Sequence, residues 1–211
     1  MLLAEDVLIL TIDPAGGLVG DSANACGRDA IARALLIDLA VLGAVSLEQG
    51  KLRVIDPLPQ SHRLLTFTLR VLGDAQYHPD AAVARIRRRM WSVRSDLMDG
   101  FERLGIVHRL PGTLFGRFGR ARFALQSTQT RAERVALLKR GCQTPSIDDL
   151  PAVALALLCE SLGLAEHFVG SESRLRLRGW AQTMAPSAKA VAGGDASPRR
   201  RLATILALLP G

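Results

Sequence analysis

From Val83 to Leu104 the apolar residues Val83, Ile86, Met90, Val93, Leu97, Phe101 and Leu104 recur at steps of three or four. Only an α-helix brings such positions onto one face. The spacing therefore predicts one continuous helix, opening at Pro79 and closing near Leu104-Gly105, with that face against a core. Arg85, Arg87, Arg88, Arg89 and Arg94 fall off the apolar face. A chain organised around this segment must supply other helices to cover it.

Composition says what those helices are made of. Hydrophobic residues are 48% of the 211, but aromatics only 4%, so the core is aliphatic, which favours helices over sheets. Leu2 to Thr11 reads as a short buried helix or strand before the turn Asp13-Pro14-Ala15-Gly16-Gly17. Asn24 to Leu42, with Ile31, Leu35, Ile37, Leu39 and Leu42, reads as a buried helix stopped by Gly43. Val45-Ser-Leu and Lys51 to Ile55, split by Gln49-Gly50, predict a small hairpin. Helices are expected at Leu64 to Leu72, Thr130 to Lys139, Leu150 to Leu162 (strongly apolar and central), Ser171 to Trp180 and Arg199 to Leu209. Ile106 to Arg109 and Arg122 to Leu125 are expected to pair as strands, and Ala185 to Pro198 to act as a linker. The fold class is mainly α: a single globular helical domain with small β-hairpins.

Several chemistries find no residues to carry them. His62, His78, His108 and His167 are scattered, and none stands four residues from a second ligand. Cys26, Cys142 and Cys159 lie far apart in aliphatic surroundings, which predicts reduced thiols without zinc. No nucleophile elbow, zinc-protease helix or Walker loop is present. Asp148-Asp149 before Leu150-Pro151 suits helix capping better than acid–base work. No cofactor and no enzymatic activity are expected. Glu5 and Asp6 occupy the place where a signal peptide carries base, and no apolar run approaches the roughly 18–20 residues of a spanning helix. The expectation is a cytoplasmic protein, peripheral to the inner face of the membrane.

The net charge of +7 points to an anionic partner: nucleic acid, a membrane surface or an acidic protein. Its densest expression is the arginine run at 85–94, where the nearest acids, Asp80 and Asp96, stand at the ends. A run of charge is usually just a solvated helix face. Here Trp91 stands among the arginines and off the apolar face. An indole beside guanidinium groups suits a ligand ring or a lipid headgroup, and arginine forks grip phosphate oxygens in pairs. Helix followed by hairpin, at 31–55 and again at 83–125, is also how a winged helix reads, so a DNA-binding protein is the alternative.

The opening Leu2-Leu-Ala-Glu-Asp-Val-Leu-Ile-Leu, the block Ala34-Leu-Leu-Ile-Asp-Leu-Ala-Val-Leu-Gly-Ala-Val, and Trp91-Ser-Val-Arg-Ser-Asp-Leu through Leu104-Gly-Ile-Val resemble the Golgi phosphoprotein 3 family. The resemblance covers nearly the whole chain and implies one domain over 1–211. It implies a non-enzymatic peripheral membrane protein that binds phosphatidylinositol 4-phosphate or a similar anionic headgroup and holds membrane-protein tails. The family's headgroup site is a Trp before one helix, an Arg on it and an Arg-x-x-Arg pair on a later helix. Those positions fall here on Ala23, Ala32, Trp91 and Arg94. With the basic cluster, the expected anion-binding set is Arg28, Arg33, Arg87, Arg88, Trp91 and Arg94. The family's apolar hairpin tip, used for membrane contact or self-association, corresponds to Leu114, Phe115 and Phe118, which makes a homo-oligomer an expectation as well.

The periodicity carries its own test. If the 83–104 stripe faces a core, Leu97→Ala costs roughly 2–5 kcal/mol of unfolding free energy in a denaturant titration. A loss of a few tenths of a kcal/mol would place the face in solvent.

Overall fold

Between the candidate strand and helix for the opening segment, the chain chooses the helix. α1 (Leu3–Thr11) is buried along all but one of its residues. It is followed by β1 (Ile12–Asp13), paired antiparallel with β2 (Gly17–Leu18). The computed structural model describes residues 1–14, 17–18, 27–57, 60–110, 122–189 and 197–210. α2 (Arg28–Leu42) leads into the hairpin of β3 (Val45–Glu48) and β4 (Lys51–Val54). Gln49 and Gly50 both take positive φ, 50° and 76°, the combination a two-residue turn needs to match strand twist.

Next come α3 (Arg63–Leu72), α4 (Pro79–Arg89) and α5 (Val93–Arg103), and then β5 (Val107–Leu110) paired with β6 (Arg122–Leu125). α6 (Thr128–Gln143), α7 (Leu150–Ser161), α8 (Ser171–Lys189) and α9 (Pro198–Leu208) complete the chain. The architecture is mainly helical with small antiparallel hairpins, as expected. The expected linker begins late: 185–189 still belongs to α8, and 190–196 lie outside the described residues.

The core is one connected aliphatic cluster drawing on residues from Leu2 to Leu208. α2 is its axis, packed against α1, α3, α4, α5, α7 and α9. α7 is apolar all round and buries every residue from Ala152 to Cys159, the behaviour of a helix enclosed on all sides. Its start is capped as its sequence suggests: the Asp149 carboxylate accepts from the Ala152 N–H.

The 83–104 stripe is buried from Val83 to Phe101, but two expectations fail there. The helix is not continuous, because Met90 leaves helical geometry at φ −118°, ψ 53° and α5 restarts at Val93. Met90 stays buried, with the Thr68 hydroxyl 3.8 Å from its sulfur, so the break preserves the face while turning the chain. Leu104 is 74% exposed rather than core. Gly105, at φ 66°, ends the helix, and the Ile106 N–H bonds back to the Phe101 carbonyl at 2.9 Å. Ile106 thereby takes the core place expected of Leu104.

The same stop closes α2 and α7. Gly43 and Gly163 have positive φ, and the amides of Ala44 and Leu164 bond five residues back, to Leu39 and Cys159. Leu42, 52% exposed, is displaced outward as Leu104 is, while Ala44 and Leu164 go into the core.

Two carboxylates are set between α1 and its neighbours, one on α2 and one on α1 itself. Asp38 of α2 accepts the Leu3 N–H on both oxygens, at 2.9 and 3.1 Å, satisfying an orphan amide of the α1 N-terminus. Burial pushes this carboxyl up to about 8 although the Leu3 N–H pulls the other way. Asp6 is likewise pushed up by burial, to about 6, against the attraction of Arg134 at 3.5 Å. Cys142 and Cys159 are buried free thiols, both raised by burial, Cys142 to about 11. Cys26 lies outside the described residues.

α6 packs directly on the backbone of α7 at Gly141. A Cβ there would lie 2.2 Å from the Ala152 carbonyl oxygen and 2.9 Å from the Ala156 Cβ. Gly→Ala inside an ordinary helix is stabilising by up to about 1 kcal/mol. Gly141→Ala is instead expected to destabilise by about 1–3 kcal/mol, the cost of overpacking against rigid backbone. A thermal melt decides the sign: a raised Tm would show that the two helices have room to part.

Candidate anion-binding surface

The arginines of the 85–94 run divide into those the fold uses and those it leaves in solvent. Arg85 turns toward α3: its Nε donates to the Val71 carbonyl at 2.6 Å and its guanidinium lies 5.3 Å from the Tyr77 ring centre. Arg87 reaches Asp29, in the first turn of α2, at 3.2 Å. Arg33 reaches back from α2 to Asp80, in the first turn of α4, at 2.7 Å, and also donates to the Leu208 carbonyl at the end of α9. α2 and α4 are thus cross-braced by two reciprocal ion pairs. The sequence showed acids only at the ends of the run. Tertiary packing delivers Asp29 from 58 residues away.

Arg88, Arg89 and Arg94 are exposed and have no carboxylate partner among the described residues; Arg88 makes a hydrogen bond to the Ala84 carbonyl. Arg28, the first residue of α2, is also exposed and adjoins Asp29, so the Arg87 pair brings it beside α4. Trp91 stands in the three-residue gap between α4 and α5 and is 76% exposed, an unusual place for an indole. The residues placed together are therefore Arg88, Arg89, Trp91 and Arg94 around the α4–α5 junction, flanked by Arg28 and Arg87 across the α2–α4 contact. Arg33 braces the scaffold beneath.

A charge at this junction has an ordinary structural benefit too. Arg87, Arg88 and Arg89 occupy the last turn of α4, where a cation meets the negative end of the helix dipole, worth about 0.3–1 kcal/mol. The dipole explains why arginines are tolerated there. It does not explain the exposed indole.

Of the other expected positions, Ala32 is buried in α2, so an arginine at that point of the helix would have to leave the core. Ala23 lies outside the described residues, as do Leu114, Phe115 and Phe118. The strands that carry that loop are in register, with Val107 opposite Leu125 and Leu110 opposite Arg122. Sequence reasoning missed one feature. A cleft of about 480 Å³ opens between α3 and the α4–α5 junction, lined by Arg63, Phe67 and Arg70 on one side and Met90, Ser92 and Asp96 on the other. Its α3 side carried a signal, an aromatic ring between two arginines on one helical face. Which helix would face it was not readable. Among the described residues no helix is long and apolar enough to cross a membrane, and no cluster of His, Cys, Asp and Glu could hold a metal ion.

The exposure of Trp91 is directly measurable. The other tryptophan, Trp180, is half-buried against the core. The protein's fluorescence is expected to contain a red-shifted component, readily quenched by acrylamide, that disappears in Trp91→Phe with little change in Tm. If quenching is the same in the variant, the indole is covered.

Compared with known proteins, the chain matches the family model of Golgi phosphoprotein 3 (GPP34) over residues 3–202, from the first residue of α1 into α9. It belongs to that family. No curated protein matches it.

Proposed function

We propose that this member of the Golgi phosphoprotein 3 family is a non-enzymatic peripheral protein that docks on an anionic membrane surface through the α4–α5 junction. The carrying observation is Trp91, 76% exposed between two helices and set among Arg88, Arg89 and Arg94, which have no counter-charge among the described residues. An indole at headgroup depth gains from being apolar in body and polar at its N–H, and flanking guanidinium groups meet the phosphates. Each arginine near such a surface contributes about 1 kcal/mol, so three supply about 3 kcal/mol, or on the order of a hundredfold in partitioning.

The lipid in this reading carries a phosphorylated headgroup of the phosphatidylinositol 4-phosphate kind. Arg94 and Trp91 provide the local grip, with Arg28, Arg87 and Arg88 widening the positive field. Arg33 contributes by holding α2 against α4. A surface so occupied leaves the rest of the molecule free to hold membrane-protein tails or, through the loop with Leu114, Phe115 and Phe118, a second copy. The cell compartment that fits is the cytoplasm, at the inner face of the membrane. Family membership favours this reading over the DNA-binding alternative.

Co-sedimentation with vesicles tests the proposal. The wild type is expected to bind phosphatidylcholine vesicles containing phosphatidylinositol 4-phosphate and to ignore phosphatidylcholine alone. Arg88→Ala with Arg94→Ala should weaken binding by about thirtyfold, the equivalent of about 2 kcal/mol. Trp91→Ser should weaken it further. Equal sedimentation of wild type and variants, or tighter binding to duplex DNA with a steep salt dependence, would reject the membrane reading.

A further inference from the structure

Among the described residues, most of the arginines without a carboxylate partner lie on α3, α4 and α5, with Arg63, Arg70, Arg88, Arg89 and Arg94 among them. Elsewhere pairing is common, as in Arg109 with Asp99 and Glu102, Arg140 with Asp149, and Arg174 and Arg178 with Glu160. Two of the unpaired group, Arg63 and Arg70, do not belong to the Trp91 surface. They line the cleft between α3 and the α4–α5 junction.

On α3, Arg63, Phe67 and Arg70 fall within about 60° of one another at 100° per residue, on the face opposite the buried Leu65, Leu69 and Leu72. The two arginines start about 10 Å apart along the axis, close enough for both side chains to converge over Phe67. Phe67 itself is 42% exposed. The opposite wall combines the buried side chains of Met90 and Val93 with Ser92 and Asp96. The Asp96 carboxylate accepts a hydrogen bond from the Ser92 hydroxyl at 3.0 Å. Two guanidinium groups against one carboxylate leave the cleft positive.

Arg63 is placed where an isolated helix would not favour it. It is the first residue of α3, at the positive end of the dipole, with no acid in the first turn to offset it. An anion in the cleft would relieve that arrangement. The cleft volume, about 480 Å³, lies within the roughly 300–1,000 Å³ of ordinary small-molecule sites. Ser92 and Arg94 stand about 200° apart around α5, so the cleft and the Arg94 side of that helix look in different directions.

We propose that this cleft is a second, separate site for a phosphate monoester with an apolar body, its phosphate held by Arg63 and Arg70 and its apolar part covered by Phe67. The ligand chemistry is shared by a soluble aryl or alkyl phosphate and by a lipid with a terminal phosphate.

The test uses the full chain and two probes: phenyl phosphate by calorimetry, and phosphatidylcholine vesicles containing phosphatidic acid by co-sedimentation. Saturable binding of phenyl phosphate, with amide shifts at Ser92 and Val93, is expected if the source is soluble. Saturable vesicle binding with little affinity for phenyl phosphate is expected if the source is lipid. In either arm Arg63→Gln with Arg70→Gln should weaken binding about tenfold or more, the loss of one or more charge-assisted hydrogen bonds. Arg88→Ala with Arg94→Ala should leave phenyl phosphate binding unchanged, which separates this cleft from the membrane surface proposed above. Both pairs are exposed, so matched Tm values are expected. Three results overturn the proposal: no saturable binding of either probe by the wild type, full binding by the Arg63/Arg70 variant, or an equal loss of phenyl phosphate binding in both double variants.

Discussion

Everything in this fold rests on the enclosure of α2. Six other helices pack against it, and a residue at its middle, Asp38, also secures α1 by accepting the Leu3 amide. Such crowding is possible because α2 alternates large aliphatic residues with alanines: Ile31, Leu35, Leu36 and Leu39 fill space while Ala30, Ala34 and Ala40 admit neighbouring backbone. The same economy operates at Gly141, where α6 accepts the backbone of α7 at a distance that even a methyl group would violate. With so few aromatics, close approach of backbones takes over the filling that rings provide in other cores.

Around this axis the arginines do two different jobs. Arg33, Arg87, Arg134 and Arg200 are structural, and each ties elements far apart in sequence. Arg200 is buried, donating to the Ser46 hydroxyl at 2.6 Å and pairing with Glu48 at 2.7 Å, so α9 is held against β3. Its neighbour Arg201 donates to the Val41 carbonyl near the end of α2. At Glu160, burial pushes the carboxyl up but hydrogen bonds from Arg174 and Arg178 outweigh it and hold the group below the usual range. Most of the described arginines that lack a carboxylate partner lie instead on α3, α4 and α5. A net positive charge thereby becomes a local surface rather than a uniform coat. The rigid α2–α4 brace matters here, because a field is useful only if its arginines keep their places.

The break between α4 and α5 converts a helix face into a functional edge. The interruption at Met90 anchors one side chain in the core and presents the next to solvent. It also sets the N-terminal turn of α5, with Ser92 and Asp96, against α3 and so creates the cleft. Both proposed sites originate in this one local departure from regularity.

Sequence alone determined most of the helices, because amphipathic periodicity is a local property with a local cause. The burial from Val83 to Phe101, the burial of α7, the Gln49-Gly50 turn and, one residue early at 106–109, the strand that pairs with 122–125 were all readable in it. So was the stop at Gly43, since an αL position after an apolar run is a backbone requirement that glycine meets. The break at Met90 was not readable, for it involves neither proline nor glycine and leaves Met90 buried in the core on the expected face. Leu42 and Leu104 were misplaced because a helix-ending glycine passes the core position to the residue beyond it, which periodicity ignores. Arg85, Arg87, Arg88, Arg89 and Arg94 look alike as a string of letters. Only the tertiary structure decided that Asp29 would reach Arg87, that Val71 and Tyr77 would occupy Arg85, and that Arg88, Arg89 and Arg94 would have no carboxylate partner among the described residues, because partners brought from distant segments are a consequence of the fold and not of local spacing.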